Sequence, residues 1–192
     1  MVHRDDRLAR MAASLAFAAV IATACSSATP VPMPEPRPDL QQKSEPESQF
    51  ARDVLATHNS ERARVGDPPL VWSDTLAQHA AVWAQHLAQL GRLEHSALYL
   101  RPGEGENLWM GTANYFSTDA KIEYWTRERA DFRYGEFPDI SDKLPWNEVA
   151  HYTQIVWRDT KTVGCATAVN GKLEVLVCRY GPPGNWMGRK PY

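Results

Sequence analysis

Long apolar runs, surplus charge and cysteine are all scarce in this chain of 192 residues. The uncharged run that stands out, MAASLAFAAVIATA at 11–24, has 14 residues, too few to span a bilayer comfortably as a mature helix. A formal net charge of -2 gives no global attraction to DNA or RNA. Local basic residues do not change this: Arg127, Arg129 and Arg133 are interleaved with Glu128 and Asp131, which makes a solvated face and not a phosphate track. Three cysteines are too few for a heavily cross-linked scaffold, and a chain of this length forms one domain with core enough to do without many bridges. No serine or cysteine stands in a convincing nucleophile setting; Ser96 is next to His95, but adjacency in sequence is not triad geometry.

Seven tryptophans are what the chain has in quantity, and most should be core, since aromatic side chains bury large areas. The amino terminus has a different purpose. MVHRDDRLAR carries three arginines against two aspartates and leads into the 11–24 run, the form of a secretory signal, so residues 1–24 are expected to direct export. Ala22-Thr23-Ala24 before Cys25 reads either as an ordinary signal-peptidase site or as a degenerate lipobox with Cys25 lipidated. Cysteine arithmetic favours the lipobox: Cys165 and Cys178 make a plausible pair in an oxidising compartment, and Cys25 is left over. Residues 25–49, rich in alternate prolines and without apolar periodicity, read as a disordered tether from that lipid, the chain's one membrane contact. The folding domain is then 50–192, monomeric and extracytoplasmic, either membrane-anchored or secreted.

Within it, Ser48-Gln49-Phe50 opens a helix with Phe50, Val54 and Leu55 on one side, stopped by Gly66-Asp67-Pro68-Pro69. Leu70-Val71-Trp72 is a short apolar clip. Ser73 caps a second helix whose stripe is Leu76, Ala80, Trp83, Ala84, Leu87 and Leu90, ended by Gly91. His79 and His86 are seven apart on it and read as exposed or helix-packed, not as ligands. Gly103 to Leu108 reads as a glycine-containing loop in which Glu104 and Glu106 are solvated. Ser117 or Thr118 caps a third helix with Ile122 and Trp125 on one face and Glu128 just beyond. Phe132 to Trp146, broken by Gly135, Pro138 and Pro145, reads as a loop too polar for the core.

His151-Tyr152-Thr153-Gln154 begins a short helix, followed by a strand from Val163 to Val169. Asn170-Gly171 is a two-residue turn signal, and Lys172 to Cys178 returns. That turn sets residue 165 opposite 176 and 163 opposite 178, so the two cysteines are diagonal, and a bond between them calls for a bulge or a pulled register. Trp186 and Tyr192 are expected to pin the tail.

Several stretches together resemble one family. HYTQIVW at 151–157 and CRYGPPGN at 178–185 resemble the two signatures of the CAP superfamily of cysteine-rich secretory, antigen 5 and pathogenesis-related class 1 proteins. THNSERA at 57–63, LVWSDTLAQHA at 70–80, LEHS at 93–96, GENL at 105–108 and WTRE at 125–128 match in family order. The resemblance implies an α+β fold, a three-layer α-β-α sandwich around a small, mostly antiparallel sheet. It also implies a cleft lined by His95, Glu106, Glu128 and His151, in which some members hold zinc or another divalent cation, and imidazole with carboxylate suits such an ion. Ala150 stands where members often have glycine, and a cysteine-rich carboxy-terminal module is lacking, so the chain resembles a minimal bacterial member.

Two functions follow from the resemblance. One is binding of a small apolar ligand, a sterol or fatty acid, or of an envelope or extracellular protein partner; a groove for the ligand would use Trp109, Met110, Tyr115 and Phe116. The other is a metal-dependent hydrolase with Glu106 or Glu128 as base, disfavoured because all four groups are consumed as ligands.

Overall fold

The computed structural model describes residues 48–192. The signal segment, Cys25 and the tether up to Glu47 lie outside the described residues. Ser48 accepts a hydrogen bond from Ala51 N at 3.1 Å and so caps helix α1, Gln49–Arg64. Strand β1 is the two residues Val71–Trp72. Ser73 caps α2, Asp74–Leu90, through Leu76 N at 3.3 Å, and Gly91, at φ 74°, ends it in the left-handed conformation that glycine adopts without cost. Strand β2 is Gly105–Thr112, and Ser117 caps α3, Thr118–Thr126, which tightens into a 3-10 turn over Arg127–Ala130. The short helix α4, Ala150–Ile155, precedes strands β3, Thr162–Asn170, and β4, Leu173–Gly181. No helix among the described residues is long and apolar enough to cross a membrane.

The sheet order is β1-β3-β4-β2, with β1 parallel to β3 and the other pairs antiparallel. Central β4 is buried on both faces, and alternation along it sorts the core. Leu176, Cys178 and Tyr180 face Val54 of α1, Ile122 and Trp125 of α3, and Tyr152 and Ile155 of α4. Val175 and Val177 face Ala80, Trp83, Ala84, Leu87 and Ala88 of α2. The result is an α+β three-layer sandwich, with α2 on one side of the sheet and α1, α3 and α4 on the other. Gly164 sets how close α2 comes: a Cβ there would lie 2.3 Å from Ala77 N and 2.4 Å from Ser73 O, so only glycine lets the helix start sit on β3. Each large aliphatic side chain fully buried this way, such as Leu87 or Ile122, contributes about 2 kcal/mol.

Several local expectations change. The stretch Gly105–Leu108 is strand and not loop, because pairing with β4 satisfies its backbone and draws Glu106 and Asn107 inside. On α2 the apolar stripe ends with Ala88, while Leu90 is exposed. The polar loop 132–146 contributes Phe137 and Ile140 to a small core of its own with Val149 and Trp157. In the tail, Tyr192 packs beside Phe132 and Tyr134, but the Trp186 ring is half exposed and its Nε1 donates only to Pro183 O.

The hairpin differs most instructively. Asn170 pairs with Leu173, so the loop is Gly171–Lys172 and not Asn170–Gly171. The positive φ of 60° falls on Gly171, the first loop residue, which is the glycine position of a II′ turn. Moving the loop by one residue brings Cys165 directly opposite Cys178 with no bulge, Cα atoms 4.1 Å apart, and the disulfide forms.

Candidate functional site

His95 follows the α2 carboxyl end, where Trp83 Nε1 donates to Glu94 O at 3.1 Å and holds the segment to the helix. Its Nδ1 lies 2.7 Å from Glu106 Oε1 on β2. Glu106 is completely occupied: Oε1 also accepts from Ser96 N at 3.0 Å, and Oε2 accepts from Ser96 Oγ at 2.9 Å and lies 3.0 Å from Arg179 Nη2. Burial pushes the Glu106 carboxyl up, but the hydrogen bonds from His95 and Ser96 and the charge of Arg179 outweigh it, and the group sits below its ordinary value. Ser96 is therefore a donor to a carboxylate and has no nucleophile's partner in His95.

His151 repeats the arrangement on α4. Its Nδ1 is 2.6 Å from Glu128 Oε1, while Glu128 Oε2 accepts from Tyr152 N at 3.0 Å. Val149, the residue before α4, supplies no side-chain cap, so Glu128 from the turn after α3 satisfies a free amide of the first turn in its place. The His151 ring stacks on Trp125, centroids 6.0 Å apart and planes within 16°. Trp125 is itself fixed by Nε1 donating to Leu108 O at 3.1 Å.

A carboxylate only accepts, so each Nδ1 carries the hydrogen, and in the neutral imidazole the free lone pair is then on Nε2. Neither Nε2 has a protein hydrogen bond among the described residues. Both rings line one open cleft of about 640 Å³. Its apolar wall includes Leu93, Leu108, Trp109, Met110, Tyr124 and Leu144, and its polar rim includes Glu94, Asp131 and Glu148. This combination, a mostly apolar wall with a few convergent polar groups, is what small-molecule sites present.

Of the four residues named from sequence, His95, Glu128 and His151 line the cleft, while Glu106 is buried behind His95, and the four form two His–carboxylate pairs. Among the described residues, no group of three or more His, Cys, Asp and Glu is arranged to hold a metal ion. The donors that fit a cation are the two imidazoles, with the glutamates behind them as orienting acceptors, a common arrangement for metal-binding histidines. Trp109 and Met110 line the cleft as expected, but from β2. Tyr115 and Phe116 do not line it; they project into solvent in the turn after β2, with Phe116 edge-on to Trp109 at 5.4 Å. His79 pairs with Glu104 at 2.6 Å and His86 stacks on Trp83 at 4.6 Å, both outside the cleft.

Sequence reasoning missed three supports: Ser96, Asn107 and Arg179. With residues 105–108 read as a loop, the strand parity that sets Arg179 against Glu106 was out of reach.

The family pattern described as "CAP: Cysteine-rich secretory protein family" matches residues 55–180. The chain belongs to the CAP family. It is 37% identical over 142 residues to pathogenesis-related leaf protein 4 of Solanum lycopersicum, covering 73% of this chain and 82% of the relative. By fold it is similar to a crystal structure of NaASP2 with Zn2+, TM-score 0.62 at 24% identity, covering 78% of this chain and 88% of that one. Na-ASP-1 matches with TM-score 0.61 at 22% identity over 76% of this chain, which spans 41% of that protein. This is a CAP-domain protein of the pathogenesis-related PR-1 type, a class typically extracellular, which fits the extracytoplasmic placement expected of the domain.

Proposed function

We propose that the CAP domain of this chain is an extracytoplasmic binding module whose cleft takes a divalent cation, zinc first, on His95 and His151, beside a small apolar ligand of sterol or fatty-acid type. The observation that carries the reading is that both histidines on one cleft have Nδ1 fixed by a carboxylate and Nε2 uncommitted. That is the state in which imidazole binds a metal, because the hydrogen on Nδ1 settles the tautomer beforehand. The crystal structure of NaASP2 is one with Zn2+; that zinc belongs to NaASP2, and it supports the choice of ion here.

Binding is favoured over hydrolysis because Glu106 and Glu128, the bases nearest the imidazoles, accept hydrogen bonds on both oxygens. A bound cation would supply positive charge to orient a polar ligand head, while Trp109, Leu108 and Tyr124 face its apolar body. The unidentified head group decides selectivity.

Zinc titration by calorimetry tests the cation: one binding event is expected in the parent, lost in His95→Ala and in His151→Ala. No heat in the parent removes the metal from the reading. Titration with cholesterol and with palmitate, with and without zinc, tests the ligand, and the absence of saturable binding of either removes the apolar carrier role. The lipid on Cys25 is proposed with it, and mass spectrometry of the membrane-extracted amino terminus finds either a diacylated cysteine or a refutation.

A further inference from the structure

Arg179 lies directly opposite Glu106 in the β4–β2 register and has a side chain only 3% exposed. Its Nη2 is 3.0 Å from Glu106 Oε2 and its Nη1 is 3.5 Å from Glu104 Oε2. Glu104 Oε1 in turn meets His79 Nδ1 at 2.6 Å, as Glu106 Oε1 meets His95 Nδ1 at 2.7 Å. One charged chain results, with Arg179 in its centre and a histidine at each end.

Strand parity builds it. Glu106 and Arg179 share the sheet face of Leu108 and Val177, the face that packs on α2, and α2 carries His79. The close seat of α2 on Gly164, which pairs with Arg179 in β3, shuts this part of the sheet away from water. A guanidinium so enclosed is tolerated only if charges answer it. Among the described residues, Nε and Nη1 of Arg179 find no hydrogen-bond partner, so its contacts with Glu104 and Glu106 are what hold it.

The consequence falls on Glu106. Arg179 and Ser96 Oγ both take Oε2, which turns Oε1 toward His95 and Ser96 N. We propose that Arg179 is a positioning residue for His95: it locks the plane of the Glu106 carboxylate, so that His95 is kept in the Nδ1–H form with Nε2 free toward the cleft. Glu104 and His79 hold the far side of the guanidinium. The value of this device rests on the reading of His95 as a metal donor, but its test does not.

Metal-free protein labelled with ¹⁵N in its histidines, taken above the histidine titration range, shows by long-range ¹H–¹⁵N spectra which ring nitrogen carries the hydrogen. Wild type is expected to show a single Nδ1–H form at His95. Arg179→Gln is expected to show both tautomers there, with His151, held by Glu128, unchanged as an internal check of the fold. Zinc affinity in this variant should fall roughly tenfold to a hundredfold, as for loss of other groups behind a metal ligand. In a Glu106→Gln background, Arg179→Gln should change His95 no further.

Should Arg179→Gln fail to fold, Arg179→Lys takes its place. A lysine is a point charge that cannot reach both carboxylates as a planar fork does, so a minor second tautomer is expected. An unchanged His95 tautomer in the folded variant, or an equal further change in the Glu106→Gln background, overturns the proposal. If the tautomer shifts but wild type binds no zinc, Arg179 keeps its role and the metal reading alone fails.

Discussion

The side-chain amide of Asn107 donates to the main-chain oxygen of His151 at 3.1 Å, and the same amide reaches the Tyr180 hydroxyl at 3.1 Å. Tyr180 in turn donates to His58 Nε2 at 2.9 Å, and His58 Nδ1 donates to Val54 O at 2.8 Å. The hydrogens in this chain run one way, from β2 through β4 into α1, and they run so only while His58 is neutral. Since Glu106 and Asn107 are neighbours on β2, one dipeptide holds His95 through its side chain and His151 through its backbone.

Burial pulls His58 from 6.5 down to about 4, so between those values the unfolded chain binds a proton that the folded chain refuses. Stability is complete above about 6.5 and falls as pH drops toward 4, by about 3 kcal/mol from this group. Glu106 adds to the loss only as pH passes below its ordinary 4.5, where the unfolded carboxylate takes a proton first. Urea denaturation of wild type and His58→Gln across this range should show the slope between pH 6.5 and 4 flattened in the variant. Equal slopes would count against a neutral buried His58.

Glu128→Gln should uncouple His151. An amide side chain offers one oxygen where the carboxylate offered two, so either the imidazole or the α4 amide of Tyr152 loses its partner. Zinc affinity should fall roughly tenfold to a hundredfold. Calorimetry gives the affinity, and the ¹⁵N spectrum of His151 shows whether the ring has been released; an unchanged ring and affinity contradict the role given to Glu128.

Arg62 is expected to be among the most sensitive positions in the domain. Its guanidinium is fully buried and donates to Pro68 O, Ile155 O, Trp157 O and Thr160 O, gathering the chain that leaves α4. Arg62→Met leaves four carbonyl oxygens to find new donors and should cost at least about 3 kcal/mol. Chemical denaturation measures it, and a loss under about 1 kcal/mol would mean that water replaces the guanidinium without difficulty.

Removal of the disulfide should lower stability and leave the cleft intact. The bridge closes a loop of sequence separation 13, worth about 3 kcal/mol through the unfolded chain. Both sulfurs are in the core with Ile122 and Leu176, away from the cleft wall. The Cys165→Ala, Cys178→Ala protein should unfold at lower urea yet bind zinc like the parent when folded; a matching loss of zinc affinity would tie the bridge to the site.

Much of this protein was settled by sequence. Ser48, Ser73 and Ser117 each precede a helix and each caps it, because a hydroxyl that satisfies a first-turn amide acts within three residues. The α2 stripe, the short α4 and the two long strands were legible for the same reason: their periodicity is local. The family was also legible, carried by motifs spread from 57 to 185, and the same motifs contain His95, Glu106, Glu128 and His151, which the fold brings together in pairs.

Tertiary structure decided the remainder. Gly105–Leu108 has no local mark of a strand and becomes one only by pairing with β4. The cysteines became opposed because Gly171 took the first place of the turn, a choice in which the partner strand's register takes part. What reaches the oxygens of Glu106 and Glu128 was likewise decided by the fold, since Ser96, Tyr152 and Arg179 come from three different parts of the chain. Sequence could name which groups can hold a cation or a proton; only the packed sheet and helices decided which partner each of them meets.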